Sequence, residues 1–339
     1  MQELIVPKAL KKGDTIALIS ISGGRAGDAD MLYRYEIGKK RLEEIWGLNV
    51  IITPNALAGS VFLYEHPEAR ANDLKWALEN ENVSGIICMM GGDDSYRVLP
   101  YIDIAIIRNN PKVFMGYSDI TSWMTVFAKA GVRAYYGPNL LTPIAQPFVL
   151  DEYTKNAITK CLFSTEVIGE ISACKEYTNI EWKNVTRSGV RWYPNSGYKL
   201  IQGSGIARGR IFGGTVGALQ QIMGTEYFPS ADFFKNCIIA LELGIPYKGS
   251  LAVLHQLRAL DAAGVFKEAA GVIIGQIKEE EELILTKFLK YEAKKEDIPV
   301  LANVDFVHRT PMTVLPIGAM TEIDCDNITL KILEAGVRD

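Results

Sequence analysis

Apolar residues along the first half of the chain fall into two alternating periodicities. Short unbroken runs such as Thr15-Ile-Ala-Leu-Ile and Gly85-Ile-Ile-Cys-Met have the length and composition of strands covered on both faces, and the stretches between them repeat apolar positions at helical spacing. The pattern predicts strands over 15–20, 49–52 and 85–90 and helices over 31–46 and 67–79. A fourth strand, Val113-Phe-Met, passes through a tight turn into a helix whose apolar positions Ile120, Trp123, Met124 and Phe127 end at Gly131. Strands alternating with helices in this way form a mostly parallel sheet with helices on both faces, so the fold class is α/β.

Periodicity weakens from Tyr153 to Tyr198, where polar and aromatic residues including Trp182, Trp192 and Tyr193 gather, and this stretch reads as a connection. Beyond it, strands are expected over 209–212, 237–241, 271–275 and 299–302, helices over 216–223, 251–263 and 279–294, and a strand-rich close over 312–333. At 339 residues the chain exceeds one usual core, and the pattern divides it into a first α/β domain (1–165), a connecting segment (166–200) and a second β/α domain (201–339).

A formal net charge of −4 leaves no broad basic face, which argues against a nucleic-acid polymer as partner and favours small molecules or short peptides. No apolar run approaches the roughly 20 residues of a membrane span. The start of the chain lacks the ordered basic, apolar and cleavage regions of a secretion signal, so a cytoplasmic protein with no membrane partner is expected. The five cysteines are widely spaced and form no CxxC, which indicates neither a disulfide framework nor a zinc site. The acid run Glu279 to Glu282 opens a helix closing on Lys294 and Lys295, an arrangement suited to the helix dipole and a solvated face.

Ser118 falls at the end of a strand and the start of a helix, where first-turn N–H groups, beginning with that of Asp119, can stabilise an oxyanion. The turn resembles a nucleophile elbow, with Gly-x-Ser-x-Ile in place of Gly-x-Ser-x-Gly. The same residues also suit a plain helix cap. A serine nucleophile needs a base, and the base needs an orienting group. Of the three histidines, His66 precedes a helix as a turn or capping residue, and His255 falls within a helix beside Leu254 and Leu257 as a structural imidazole. His308 lies in a loop after a strand, beside Arg309 and Thr310, and has the stronger claim. Glu242 ends the apolar run Cys237-Ile-Ile-Ala-Leu and must be paired there, with a functional partner or in a salt bridge to Lys248 or an arginine. Gly91-Gly92 follows the third strand, where glycine lets the backbone approach a ligand and offers a second oxyanion N–H, although Gly-Gly-Asp-Asp also makes an ordinary turn. Gly203-x-Gly205 lacks the GxGxxG spacing of a dinucleotide site.

Taken in order, several segments resemble the LD-carboxypeptidase family of serine peptidases over nearly the whole chain. They are Leu10-Lys-Lys-Gly-Asp-Thr-Ile, Pro67-Glu-Ala-Arg, Gly91-Gly-Asp-Asp-Ser-Tyr-Arg-Val-Leu-Pro, Asn110-Pro-Lys-Val-Phe-Met-Gly-Tyr-Ser-Asp-Ile-Thr, Gly209-Arg-Ile-Phe-Gly-Gly, Ala240-Leu-Glu and Val307-His with Leu315-Pro-Ile-Gly. The resemblance implies a Rossmann-like N-terminal domain, a smaller swivelling β/α C-terminal domain and a site between them. It also implies a triad of Ser118, Glu242 and His308, an oxyanion site from the N–H groups of Asp119 and the Gly91-Gly92 turn, no metal, no cofactor, and a homodimer. The Gly-Gly-Asp-Asp-Ser turn and the residues Trp182 and Trp192 are similar to the microcin C immunity branch, whose aromatic residues stack on an aminoacyl nucleotide. In that branch the reaction is cleavage of the amide bond of a peptidyl or aminoacyl nucleotide compound. Within the same family the alternative is release of terminal D-alanine from murein tetrapeptides. In another class stands a noncatalytic two-domain binder, with Ser118 a cap and Glu242 in a salt bridge. Three positions depart from the family pattern: Ile21 where proline is frequent, Thr215 where asparagine is common and Val307 where glycine is usual.

Overall fold

The unbroken apolar runs become the inner strands of two sheets. A computed structural model describes residues 1–179, 189–245 and 249–339. Strands β1 (Thr15–Ile19), β2 (Asn49–Ile52), β3 (Val83–Cys88), β4 (Val113–Gly116) and β5 (Tyr135–Tyr136) pair in parallel in the spatial order 5-4-3-1-2. Helices on both faces bury β4 and all but the first residue of β1. The helix Pro67–Glu79 starts with its proline, which needs no hydrogen-bond acceptor at that position. The helix Thr121–Lys129 is buried at every position through Ala128, and the chain then turns at Gly131, whose φ is +85°.

The strand order reverses between β1 and β3, so the segments leaving those two strands diverge and frame a crevice. The Gly23 N–H donates to the Gly91 carbonyl at 3.0 Å and ties the two segments together. The loop after β4, carrying Ser118, enters the same region.

The second half adds β6 (Gly169–Ile171), β7 (Glu176–Asn179), β8 (Tyr193–Pro194), β9 (Lys199–Gln202), β10 (Ile206–Thr215), β11 (Cys237–Glu242), β12 (Gly271–Ile274) and β13 (Val300–Ala302). It closes with β14 (Arg309–Thr310), β15 (Leu315–Pro316), β16 (Met320–Asp324) and β17 (Thr329–Ile332). Eight of these form a sheet in the order 6-17-16-10-11-12-13-9, in which β10 to β13 are parallel and the outer strands antiparallel. Strand β15 leaves that half and pairs antiparallel with β5, extending the first sheet. The chain between β13 and β15 therefore spans the two sheets, and His308 sits on it.

Two expectations are corrected here. The stretch from Tyr153 contains the helix Glu152–Leu162, capped by the Asp151 side chain, which accepts the Tyr153 N–H at 2.8 Å. Its buried stripe is Thr154, Ile158, Cys161 and Leu162, a helical pattern diluted by polar neighbours. The stretch expected to be a connection also supplies β6 and β9, the two edge strands of the second sheet, and β7 and β8, of which β7 pairs with both β8 and β14 in a small third sheet. The acid run opens the helix Glu279–Tyr291, with Glu281 accepting the Lys278 N–H at 3.0 Å. Among the described residues no helix is long and apolar enough to cross a membrane.

Candidate active site

Ser118 follows β4 after the single residue Tyr117 and has φ +66°, a left-handed conformation that costs a side-chain-bearing residue about 1–2 kcal/mol. Its hydroxyl sits above the sheet end, 2.8 Å from Nε2 of His308. The His308 Nδ1 lies 2.6 Å from Oε1 of Glu242, and the His308 backbone N–H donates to the same oxygen at 2.8 Å. The other glutamate oxygen, Oε2, accepts from the Thr215 hydroxyl at 2.9 Å and the Tyr136 hydroxyl at 3.2 Å. Three segments distant in sequence thus converge: the loop after β4, the end of β11, and the chain running into β14.

Local sequence explains each placement. Glu242 is the last residue of β11 and is buried with it, beside Thr215 at the end of the parallel neighbour β10. Three residues upstream, the chain that carries His308 is anchored by Asp305, whose buried carboxylate accepts the Cys174 N–H at 2.8 Å and the Asn195 amide at 3.1 Å. The Tyr117 ring meets the imidazole edge-on, with centroids 5.0 Å apart.

Electrostatics follow from burial and pairing. Burial pushes the Glu242 carboxyl up, but the charge of His308 and the donors from His308 and Thr215 outweigh it and hold the carboxyl below its usual range. Burial pulls the His308 imidazole down, and the Glu242 carboxylate more than restores it, leaving it above its usual value. With Nδ1 facing a carboxylate, the proton of the neutral ring belongs on Nδ1 and Nε2 is the acceptor for the serine hydroxyl. That chain of groups can take a proton from Ser118 as its oxygen attacks an electrophile.

The glycine turn packs against Ser118. A Cβ on Gly91 would lie 2.8 Å from the Ser118 Cβ and 3.0 Å from its Oγ, and one on Gly92 would run into the Ser22 hydroxyl. These glycines therefore let the turn approach Ser118 and Ser22 closely. Asp119 occupies the first helical turn beyond Ser118, where an N–H has no intrahelical acceptor.

The remaining expected residues divide. His66 is exposed and lies 2.9 Å from the neighbouring Glu68 carboxylate. His255 is exposed on the helix Ser250–Ala262 and is not the packed imidazole expected. Trp192 meets Phe148 edge-on at 5.6 Å and lines a cavity of about 680 Å³ with Tyr153, Cys174, Tyr193 and Pro311, the last of these close to His308 in sequence. Trp182 and Lys248 lie outside the described residues. All five cysteines are free and buried. Sequence reasoning missed Tyr136 as a partner of Glu242. It also missed the link from Thr215 to Glu242, for which the departure from the family pattern at Thr215 was the one available signal.

Comparison with known proteins matches the LD-carboxypeptidase N-terminal domain over residues 16–137 and the LD-carboxypeptidase C-terminal domain over 208–323. The chain is 30% identical over 329 residues to YocD of Bacillus subtilis, a carboxypeptidase by name, covering 95% of this chain and 97% of that one. It is also 30% identical over 282 residues to the microcin C7 self-immunity protein MccF of Escherichia coli, covering 78% of each. The MccF structure in complex with aspartyl sulfamoyl adenosine superposes with a TM-score of 0.84 at 26% identity, over 98% of this chain and 100% of that one. An MccF-like protein from Streptococcus pneumoniae in complex with AMP superposes with a TM-score of 0.84 at 25% identity, over 94% and 98% of the two chains.

Proposed function

The chain belongs to the LD-carboxypeptidase family of serine peptidases, and from that membership we propose that it hydrolyses the amide bond of a peptidyl or aminoacyl nucleotide compound, with Ser118 as nucleophile. The observation that carries this reading is the unbroken hydrogen-bond chain from Ser118 through His308 to Glu242, at 2.8 and 2.6 Å. His308 takes the proton from Ser118 during attack and returns it to the leaving nitrogen, while Glu242 holds Nδ1 and stabilises the imidazolium between those steps. The N–H groups of Asp119 and the Gly91-Gly92 turn receive the developing oxyanion, preorganised by the close packing of Gly91 on Ser118. Water then releases the acyl group through the same base.

The substrate class is supported by the relatives whose structures hold aspartyl sulfamoyl adenosine and AMP. An aromatic cavity lined by Trp192 and Tyr193 near the His308 segment has the apolar surface a nucleoside needs. The test is hydrolysis of aspartyl sulfamoyl adenosine and of a murein tetrapeptide ending in D-alanine, side by side, by this chain and by Ser118→Ala. Cleavage of the adenosine compound alone, lost in Ser118→Ala, is the expected result. Cleavage of the tetrapeptide alone moves the enzyme to cell-wall peptides, and cleavage of neither leaves the triad without a substrate and revives the noncatalytic binding reading.

A further inference from the structure

The carboxylate next to the nucleophile has a set of contacts that the mechanism above leaves unused. Asp119 is 3% exposed, and among the described residues no cation forms an ion pair with it. Its Oδ2 accepts the Ser22 hydroxyl at 2.5 Å and the Ser95 backbone N–H at 2.8 Å, while Oδ1 is buried and has no hydrogen-bond partner among the described residues. The Ser95 hydroxyl in turn donates to the Asp119 carbonyl at 3.0 Å. The buried cation Arg70 reaches the Ser22 carbonyl at 3.2 Å but is engaged by both oxygens of Asp94, at 2.9 and 3.0 Å. Burial raises the Asp119 carboxyl above its usual range, and Asp94 adds to that.

A buried acid without a counter-ion is expensive, so it persists where its geometry is needed. Here three hydrogen bonds fasten residue 119 to the segments leaving β1 and β3. Ser22 lies one residue before Gly23, whose N–H holds the Gly91 carbonyl, and a Cβ on Gly92 would collide with the Ser22 hydroxyl. Ser95 closes the Gly91 to Asp94 turn from its other side. Both ends of the glycine turn are thereby referred to Asp119, the residue whose own N–H lies in the first turn after Ser118.

We propose that the Asp119 side chain is a positioning group for the oxyanion site, holding its own N–H and the Gly91-Gly92 turn in one rigid frame through Ser22 and Ser95. This inference rests on the proposed hydrolase reading. A positioning group of this kind acts on the transition state and leaves ground-state binding alone. Truncation in Asp119→Ala is therefore expected to lower kcat about 100-fold with KM changed less than about threefold, as when an oxyanion donor is lost. Asp119→Asn keeps a carbonyl oxygen for Ser22 and Ser95 and places its amide where Oδ1 has no donor to lose, so it should retain activity within about tenfold of the parent.

The experiment measures kcat and KM for aspartyl sulfamoyl adenosine with the parent chain, Asp119→Ala, Asp119→Asn and Ser22→Ala, after thermal melts confirm folded protein. Ser22→Ala keeps the carboxylate, removes one of its donors and should show the same kcat-specific loss at smaller size, so it decides the proposal even where Asp119→Ala fails to fold. An active parent whose Asp119→Ala and Ser22→Ala variants keep full kcat, or lose activity only through KM, overturns the inference alone. A parent that hydrolyses neither this compound nor the murein tetrapeptide overturns the hydrolase reading and this inference with it.

Discussion

Replacing Glu242 by glutamine isolates the charge of the proposed orienting group from its geometry. The amide that replaces the carboxylate has one acceptor and one donor end, and the surroundings dictate which way it faces. The Oε1 side meets the His308 backbone N–H at 2.8 Å, which can only donate, and so demands the amide oxygen. The Oε2 side meets the Thr215 and Tyr136 hydroxyls at 2.9 and 3.2 Å, and hydroxyls can turn to accept from an amide. Glu242→Gln therefore keeps an acceptor on Nδ1–H and preserves the productive tautomer. In the Ser-His-Asp template, where the amide imposes the wrong tautomer, the loss is about 10⁴-fold. Here the loss is the charge alone. Opposite charges about 4 Å apart attract by at most about 4 kcal/mol at an effective dielectric near 20. The retained amide hydrogen bond recovers part of that, leaving about 2–3 kcal/mol, or about 30- to 200-fold in kcat.

The pH profile provides an independent sign. The Glu242 carboxylate is what lifts the His308 imidazole against burial. The acid limb of kcat/KM in the parent should accordingly lie above the usual histidine value of about 6.5, since the neutral ring is the base. In Glu242→Gln burial acts unopposed and the limb moves to lower pH. Steady-state kinetics across pH 5 to about 9 on the adenosine compound measures both effects. A loss near 10⁴-fold in folded protein, or a limb that does not move down, refutes the orientation argument.

Three further outcomes are expected. The His308–Glu242 pair should add most to stability between about pH 4.5 and 6.5, because the raised His308 contribution fades as pH rises through its folded value and the lowered Glu242 contribution fades as pH falls through its own; urea denaturation of parent and Glu242→Gln should differ most in that window. Gly91→Ala would push a methyl to 2.8 Å from the Ser118 Cβ and 3.0 Å from its Oγ, so kcat should fall about 100-fold while stability drops by about 1–3 kcal/mol, read from kinetics and melts of the same sample. The cysteines are all buried, with the Cys161 and Cys174 thiols pushed up to about 12, so native protein should resist iodoacetamide at pH 8 and keep its activity, whereas rapid labelling with inactivation would place a thiol in the chemistry.

The parts of the fold legible in the sequence were those where one periodicity held without interruption. The runs of β1 and β11 are apolar because helices cover both faces, and the helix Pro67–Glu79 is announced by its proline and its length. The helix Glu152–Leu162 escaped because only four of its positions are buried, among lysines, threonines and a glutamate. Strands β7, β8 and β14 are four, two and two residues long and are defined by pairing across the chain, which no local pattern records.

The site shows the same division. Ser118 was legible because strand, turn and helix are contiguous, and Glu242 because a carboxylate at the end of a buried strand must have a partner. His308 could be preferred over His66 and His255 only by its loop position, since its meeting with Ser118 spans 190 positions of sequence. Tyr136 reaches Glu242 across 106 positions, and Ser22 reaches Asp119 across 97, so both contacts exist only once the sheets are assembled.

The account turns on a covalent intermediate at one hydroxyl. Rapid-quench mass spectrometry of the Ser118 peptide during turnover of aspartyl sulfamoyl adenosine tests this most directly. An aspartyl ester on Ser118 that forms and decays with turnover, and is absent in His308→Ala, is the expected result. Turnover by folded enzyme with Ser118 never modified, or undiminished in Ser118→Ala, would contradict it.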